Sequence, residues 1–258
     1  METWNPPTSA LVYGSMVLTL ALSFLFFGGA ARIRKILFPG PDFPFPTLQT
    51  PTLPFIVGLS LLGLSAWLSP SLLPGTALAF GLLILSFSKQ RPVAFWGLHR
   101  SHPGSDLRFS LSTLFTFLIP ILLLLAICSG VYLAFGWPLE PQPALLRFME
   151  ARDAKTLAPF LLYALVIAPA WEELFFRGTL FPWLSSRLPV NQAHWLSALA
   201  FGAVHLHGPT LIPLTCLGAV LVGMYRTSRS LVPSFLLHSL FNANTCILLL
   251  LARPPVHP

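Results

Sequence analysis

The sequence predicts an all-α protein, a polytopic transmembrane helical bundle of about eight spans. Composition is the first observation: hydrophobic residues make up 55% of the 258 residues and charged residues only 9%, against about 25% charged in typical soluble domains. The second is the order of the chain, in which one apolar run follows another. Several of these runs approach the ~20 residues that a helix needs to cross a bilayer.

Eight apolar runs are the predicted spans. The third is short, and Pro74-Gly75 ahead of it predicts a tight hairpin with the second; the count falls to seven if the third only dips into the membrane. The first has no basic region before it and no clear small-residue cleavage site, so we expect a retained span. The predicted spans are Leu11–Gly28, Phe55–Leu73, Thr76–Phe87, Leu111–Phe135, Leu157–Leu180, Ala193–Leu206, Leu211–Tyr225 and Leu231–Leu251.

The connecting segments indicate a membrane setting as well. Ser88–Arg108 is basic and is typical of a cytoplasmic loop. Trp137–Lys155 contains an apolar pattern that predicts a short amphipathic helix at the interface. The net charge of +7 is spread between the apolar runs, so we expect no nucleic-acid partner. The three cysteines lie in apolar runs without a CxxC pair or zinc spacing, which predicts small buried hydrophobes.

Charged residues stand out within the fifth span. Leu157–Ala170 is uncharged, yet Glu172, Glu173 and Arg177 follow within a few residues. A charge at the bilayer centre costs roughly 2.5–3.5 kcal/mol on insertion scales, so this cluster needs a reason. An ion pair that ties helices together is one explanation. A catalytic site is the other.

Later spans carry polar residues at helical spacing. Phe201 precedes His205 by four residues, and His238 precedes Asn242 by four, so each pair shares a helix face. Glu173 and Arg177 are spaced in the same way. Adjacent helical residues point about 100° apart, so we expect Glu173 to pair with Arg177 while its neighbour Glu172 faces a cavity.

This pattern favours a hydrolytic site in a catalytic cavity inside the membrane. Glu172, helped by His205, would take a proton from a water that attacks a carbonyl. His238 and Asn242 would donate hydrogen bonds to the developing oxyanion. Each residue also has a simpler interpretation. A histidine or asparagine in a membrane helix often hydrogen-bonds a neighbouring helix and does nothing more.

The three motifs, Glu172-Glu173-xxx-Arg177, Phe201-xxx-His205 and His238-xxx-Asn242, resemble the signature of the CPBP family. That family contains CAAX prenyl endopeptidases, bacteriocin-processing and immunity proteins, and related glutamic-type intramembrane proteases. The resemblance extends over about 157–251 without a departure from the pattern. It implies the same division of roles. Glu172 and His205 activate the water, and His238 and Asn242 stabilise the oxyanion.

The resemblance also implies a function. We expect an intramembrane endopeptidase that cuts near the C-terminus of a membrane-associated or lipid-modified protein, with tail removal of the myxosortase kind as one variant. Residues 1–156 would hold substrate-shaping spans and 157–258 the catalytic core of one continuous membrane domain. Expected partners are a membrane-anchored protein or peptide and the lipid bilayer, and the expected location is a bacterial inner membrane.

Two alternatives stay open at this stage. The first is a two-histidine, one-carboxylate zinc site formed by Glu172, His205 and His238, although no HExxH motif is present. If this zinc site does not exist, we expect no cofactor. In the second, the chain is a non-enzymatic immunity or scaffold protein that binds a peptide in the same cavity. An ion-coupled transporter is less favoured, because the sequence has no inverted repeat or broken-helix pair.

Overall fold

The computed structural model describes residues 8–39, 96–98, 101–151 and 153–252. Over these ranges the chain is helical and contains no strand, which confirms the all-α prediction. The predicted spans Phe55–Leu73 and Thr76–Phe87 lie outside the described residues. The predicted total of eight spans therefore stays a prediction.

Eight helical segments follow one another in the described ranges. Five of them (α1, α3, α5, α7 and α8) are long and apolar enough to cross a membrane, as expected of an integral membrane protein. The bounds are α1 Thr8–Phe26, α2 Gly29–Leu37, α3 Pro103–Ala134, α4 Pro143–Glu150, α5 Ala154–Ser185, α6 Val190–Ala203, α7 Gly208–Ser228 and α8 Leu231–Leu251.

Helix α8 has its predicted bounds, most of the other predicted spans are displaced by a few residues, and α3 differs most. Helix α3 begins at Pro103, within the segment predicted as a loop, because Asp106 accepts hydrogen bonds from the Ser101 hydroxyl and the His102 N–H at 2.9 Å each. Those bonds close the helix start ahead of the apolar run. Helix α6 has 14 residues, too few for the ~20 that a span needs. The predicted sixth span is a helix displaced by three residues, and it is not among the five described helices long enough to cross a membrane.

Helix α5 is continuous but not regular. Two five-residue π-turns, Tyr163–Ile167 and Phe176–Leu180, interrupt its α-helical course. Pro169 and Pro182 each lie two residues beyond the end of a π-turn. A proline lacks an N–H and its ring clashes with the carbonyl four residues earlier in an α-helix. The wider turns accommodate both prolines, and such turns are frequent at functional sites.

Helices α6 and α7 pack against each other through small residues. A Cβ at Gly218 would lie 2.9 Å from the carbonyl oxygen of Ala198, and one at Gly202 would lie 2.8 Å from that of Leu211. Real Cβ atoms do not approach so closely, so glycine is required at both positions, as in other close membrane-helix contacts. Helix α7 is also the most buried of the five candidate spans. Its Gly218 carbonyl accepts a hydrogen bond from Arg177 of α5.

Candidate active site

The ion pair predicted within the first motif is present and buried. Arg177 Nη1 lies 2.9 Å from Glu173 Oε1, and the two side chains are 0% and 1% exposed. Arg177 Nη2 donates to the carbonyl of Gly218 on α7 at 3.1 Å. Its guanidinium also lies 4.5 Å from the ring centroid of Phe201 on α6. Arg177 therefore links α5 to α6 and α7.

His238 lies between the two glutamates. Its Nδ1 is 3.1 Å from Glu173 Oε1, and its Nε2 is 3.7 Å from Glu172 Oε2. A carboxylate paired with arginine is an acceptor, so Nδ1 is the donor of the shorter contact. The sequence placed Glu173 with Arg177 alone. In the structure, the same carboxylate oxygen binds both Arg177 and His238.

Glu172 is the less constrained of the two carboxylates. Its side chain is 16% exposed, and its buried Oε2 has no hydrogen-bond partner within the described part of the chain. A buried polar atom without a partner is costly and often marks a functional position. This oxygen faces the His238 ring, with 3.7 Å between Oε2 and Nε2.

His205 lies just beyond the end of α6. Its Nδ1 is 2.8 Å from the carbonyl oxygen of Phe201. Because a carbonyl only accepts hydrogen bonds, Nδ1 carries the hydrogen and the neutral ring has its lone pair on Nε2. The described side chains show no hydrogen bond or ion pair between His205 and Glu172. The structure therefore gives His205 a fixed tautomer rather than a direct contact with the carboxylate.

Phe201 contacts all three motifs. It is fully buried, and its ring centroid lies 5.1 Å from that of His205 and 5.6 Å from that of His238. The Phe176 ring packs edge-on against it at 5.3 Å, and Arg177 covers it. The sequence indicated Phe201 only as a supporting residue. In the structure, its ring is a packing surface shared by Arg177, His205 and His238, and we call it the common wall of the site.

Asn242 binds the main chain of α5. Its Nδ2 donates to the carbonyl of Ala164 at 2.9 Å. The N–H of Ala168 bonds Tyr163 instead, and Pro169 has no N–H, so Ala164 lacks a donor from its own helix. Asn242 satisfies that carbonyl with one of its two N–H groups and keeps the other. Ala164 was not among the predicted site residues, although Pro169 within an apolar span indicated an unsatisfied carbonyl nearby.

The alternative zinc set does not assemble. Among the described residues, no group of three or more histidine, cysteine, aspartate or glutamate side chains is close enough to hold a metal ion. Glu172, His205 and His238 are all described. We therefore derive no step through a metal.

The comparisons with known proteins agree with this geometry. Residues 154–244 match the family model described as Type II CAAX prenyl endopeptidase Rce1-like. The matched range contains all three motifs and runs from the start of α5 into α8. No curated protein and no solved structure gave a match. The match does not distinguish a myxosortase branch. Residues 154–244 are therefore similar to a family of CAAX protease-like membrane proteases, in agreement with the resemblance of the three motifs to the CPBP signature.

Proposed function

We propose that this protein is a glutamic-type intramembrane endopeptidase that cuts a peptide bond near the C-terminus of a membrane-associated or lipid-modified protein. One observation carries the proposal: the unpartnered Oε2 of Glu172 faces His238 across 3.7 Å in the interior of the helical bundle. A carboxylate and an imidazole from different motifs therefore meet at a protected position. General acid–base catalysis needs such a pair.

The chemistry begins with a water bound beside Glu172. Glu172 takes a proton from this water while the oxygen attacks the scissile carbonyl carbon. The free lone pair of His205 Nε2 is a second acceptor that orients the water. The carbonyl oxygen becomes an oxyanion and accepts hydrogen bonds from the remaining N–H of Asn242 and from Nε2 of His238 once that nitrogen is protonated. The carbon–nitrogen bond then breaks as the leaving amine takes the proton that Glu172 removed from the water.

The location of the site supports a substrate that lies in the bilayer. Glu172 belongs to α5 and His238 to α8, which are both candidate membrane spans. The family description supports a C-terminal substrate that carries a prenyl group. Tail removal in a protein-sorting pathway of a bacterial inner membrane is a narrower form of the same proposal. The proposed partner is a membrane-anchored protein or peptide, and the proposed mechanism needs no cofactor.

A defined reporter tests the proposal. Wild-type protein in lipid nanodiscs would be given a fluorogenic peptide that ends in a farnesylated CAAX sequence, and the same peptide without the lipid. We expect cleavage of the lipidated peptide, resistance to exhaustive chelation, and loss of activity in Glu172→Gln. Glu150→Gln, which changes an exposed carboxylate on α4, is the matched control and should remain active. Full activity of Glu172→Gln would overturn the mechanism.

A further inference from the structure

Four ionisable side chains, three of them buried, form one chain across two helices. Arg177 Nη1 is 2.9 Å from Glu173 Oε1, which is 3.1 Å from His238 Nδ1, and His238 Nε2 is 3.7 Å from Glu172 Oε2. The first three side chains are 5% exposed or less. Basic and acidic side chains alternate along this chain, in the order Arg177, Glu173, His238 and Glu172. Glu173 is therefore more than a counter-ion for Arg177, because the same oxygen holds a ring from another motif.

The contact with Glu173 restricts what His238 can do. With its hydrogen held on Nδ1, the ring exchanges a proton only through Nε2, and that atom faces Glu172. Phe201 does not compete for a ring nitrogen of His238, because its ring is uncharged. The centroids of the two rings are 5.6 Å apart. Rotation of the ring about its Cβ–Cγ bond would break the contact with Glu173. The carboxylate thus sets both the tautomer and the orientation of the imidazole.

We propose that Glu173 is a positioning residue that presents Nε2 of His238 as the proton carrier of the reaction. This inference rests on the proposed function. The water gives one proton to Glu172, and its oxygen bonds to the carbonyl carbon. Glu172 passes that proton to Nε2 of His238, which donates a hydrogen bond to the oxyanion. His238 then gives the proton to the amide nitrogen as the carbon–nitrogen bond breaks, and the water oxygen stays on the new carboxyl group.

The dependence on the leaving group separates this role from a structural one. An amide needs a proton on its nitrogen to leave, whereas an activated ester leaves without one. We would measure kcat and KM for matched lipidated amide and activated-ester reporters. Glu173→Gln should lower kcat on the amide by about 10²-fold, the range of general acid–base effects, and should lower kcat on the ester much less. KM should change little, and His238→Gln should shift the amide-to-ester ratio in the same direction.

The control is a change that disturbs packing without touching the chain of charges. Gly223→Ala places a methyl of α7 against the Ile36 carbonyl of α2 and should reduce both reactions in equal proportion. An equal loss on amide and ester in Glu173→Gln would overturn the positioning role. Glu172→Gln separates the two proposals: if it hydrolyses either reporter normally, the proposed function fails. If it is inactive and Glu173→Gln loses both reactions equally, only the present inference fails.

Discussion

The side-chain amide of Asn242 donates a hydrogen bond of 2.9 Å to the main-chain carbonyl of Ala164, and so joins α8 to the first π-turn of α5. The bond exists because the π-turn and Pro169 leave that carbonyl without a donor from its own helix. A polar residue of the third motif therefore fixes the backbone shape just ahead of Glu172. The local geometry of the site therefore depends on Asn242 and on the π-turn.

Replacing Pro169 should separate activity from stability. Pro169→Ala restores an N–H and removes the ring, so the π-turn can relax to an α-helix, in which alanine is favoured over proline by about 3 kcal/mol. We expect an unchanged or higher melting temperature in detergent, but a loss of about tenfold or more in kcat, equivalent to about 1.4 kcal/mol. Undiminished activity would show that the π-turn does not position the site.

Removing the charge of Arg177 should destabilise the fold. Arg177→Gln leaves the carboxylate of Glu173 buried without its cation, and breaking a buried pair costs about 3–5 kcal/mol. We expect a large fall in the detergent melting temperature. Arg187→Gln, near the end of α5 with an exposed side chain, should change the free energy of unfolding by about 0.5 kcal/mol or less. Equal melting temperatures for the two variants would contradict the structural role of the ion pair.

Truncating Phe201 should affect all three motifs together. The ring is fully buried against Arg177, His205 and His238, and Phe→Ala changes in cores cost about 3–5 kcal/mol. Phe201→Leu keeps most of the volume and should cost less in stability. We nevertheless expect it to lower kcat, because the two histidine rings lose their common wall. Chemical denaturation and reporter kinetics of the two variants test this, and a leucine variant with unaltered kcat would contradict it.

The start of α5 should be sensitive to acid. Hydrogen bonds from the N–H and hydroxyl of Thr156 hold the pKa of Asp153 below its ordinary value. The ionised cap therefore contributes stability above the unfolded pKa of about 3.9, and this contribution is lost as the pH falls through the lower folded pKa. Asp153→Ala should melt below wild type at pH 7, and the difference should shrink towards pH 3. A difference that is constant with pH would exclude the cap.

The apolar runs predicted the helices well, because the cost of exposing main-chain groups to lipid leaves a long apolar segment little choice but a helix. They were less accurate at α6, where the run predicted 193–206 and the helix is Val190–Ala203. They also missed the start of α3, where the polar side chain of Asp106 extends the helix beyond the apolar run. Polar capping decides such ends, and hydropathy does not record it.

The site was predictable only where its geometry is local. The pairing of Glu173 with Arg177 follows from their spacing on one helix, and the structure contains it. The contact of His238 with both glutamates depends on how α8 is rotated against α5, which tertiary packing decides. The π-turns are an intermediate case. Pro169 and Pro182 are visible in the sequence, but whether a proline breaks, kinks or widens a helix depends on its neighbours.

The most direct test of the central claim uses a host strain that lacks this protein, complemented with wild type, Glu172→Gln or the Glu150→Gln control. Mass spectrometry would compare the C-termini and membrane retention of all membrane and secreted proteins. We predict a set of proteins that keep an uncut C-terminal segment in the null strain and in Glu172→Gln, and are cut in the other two strains. Identical C-termini in all four strains would contradict the assignment of a processing endopeptidase.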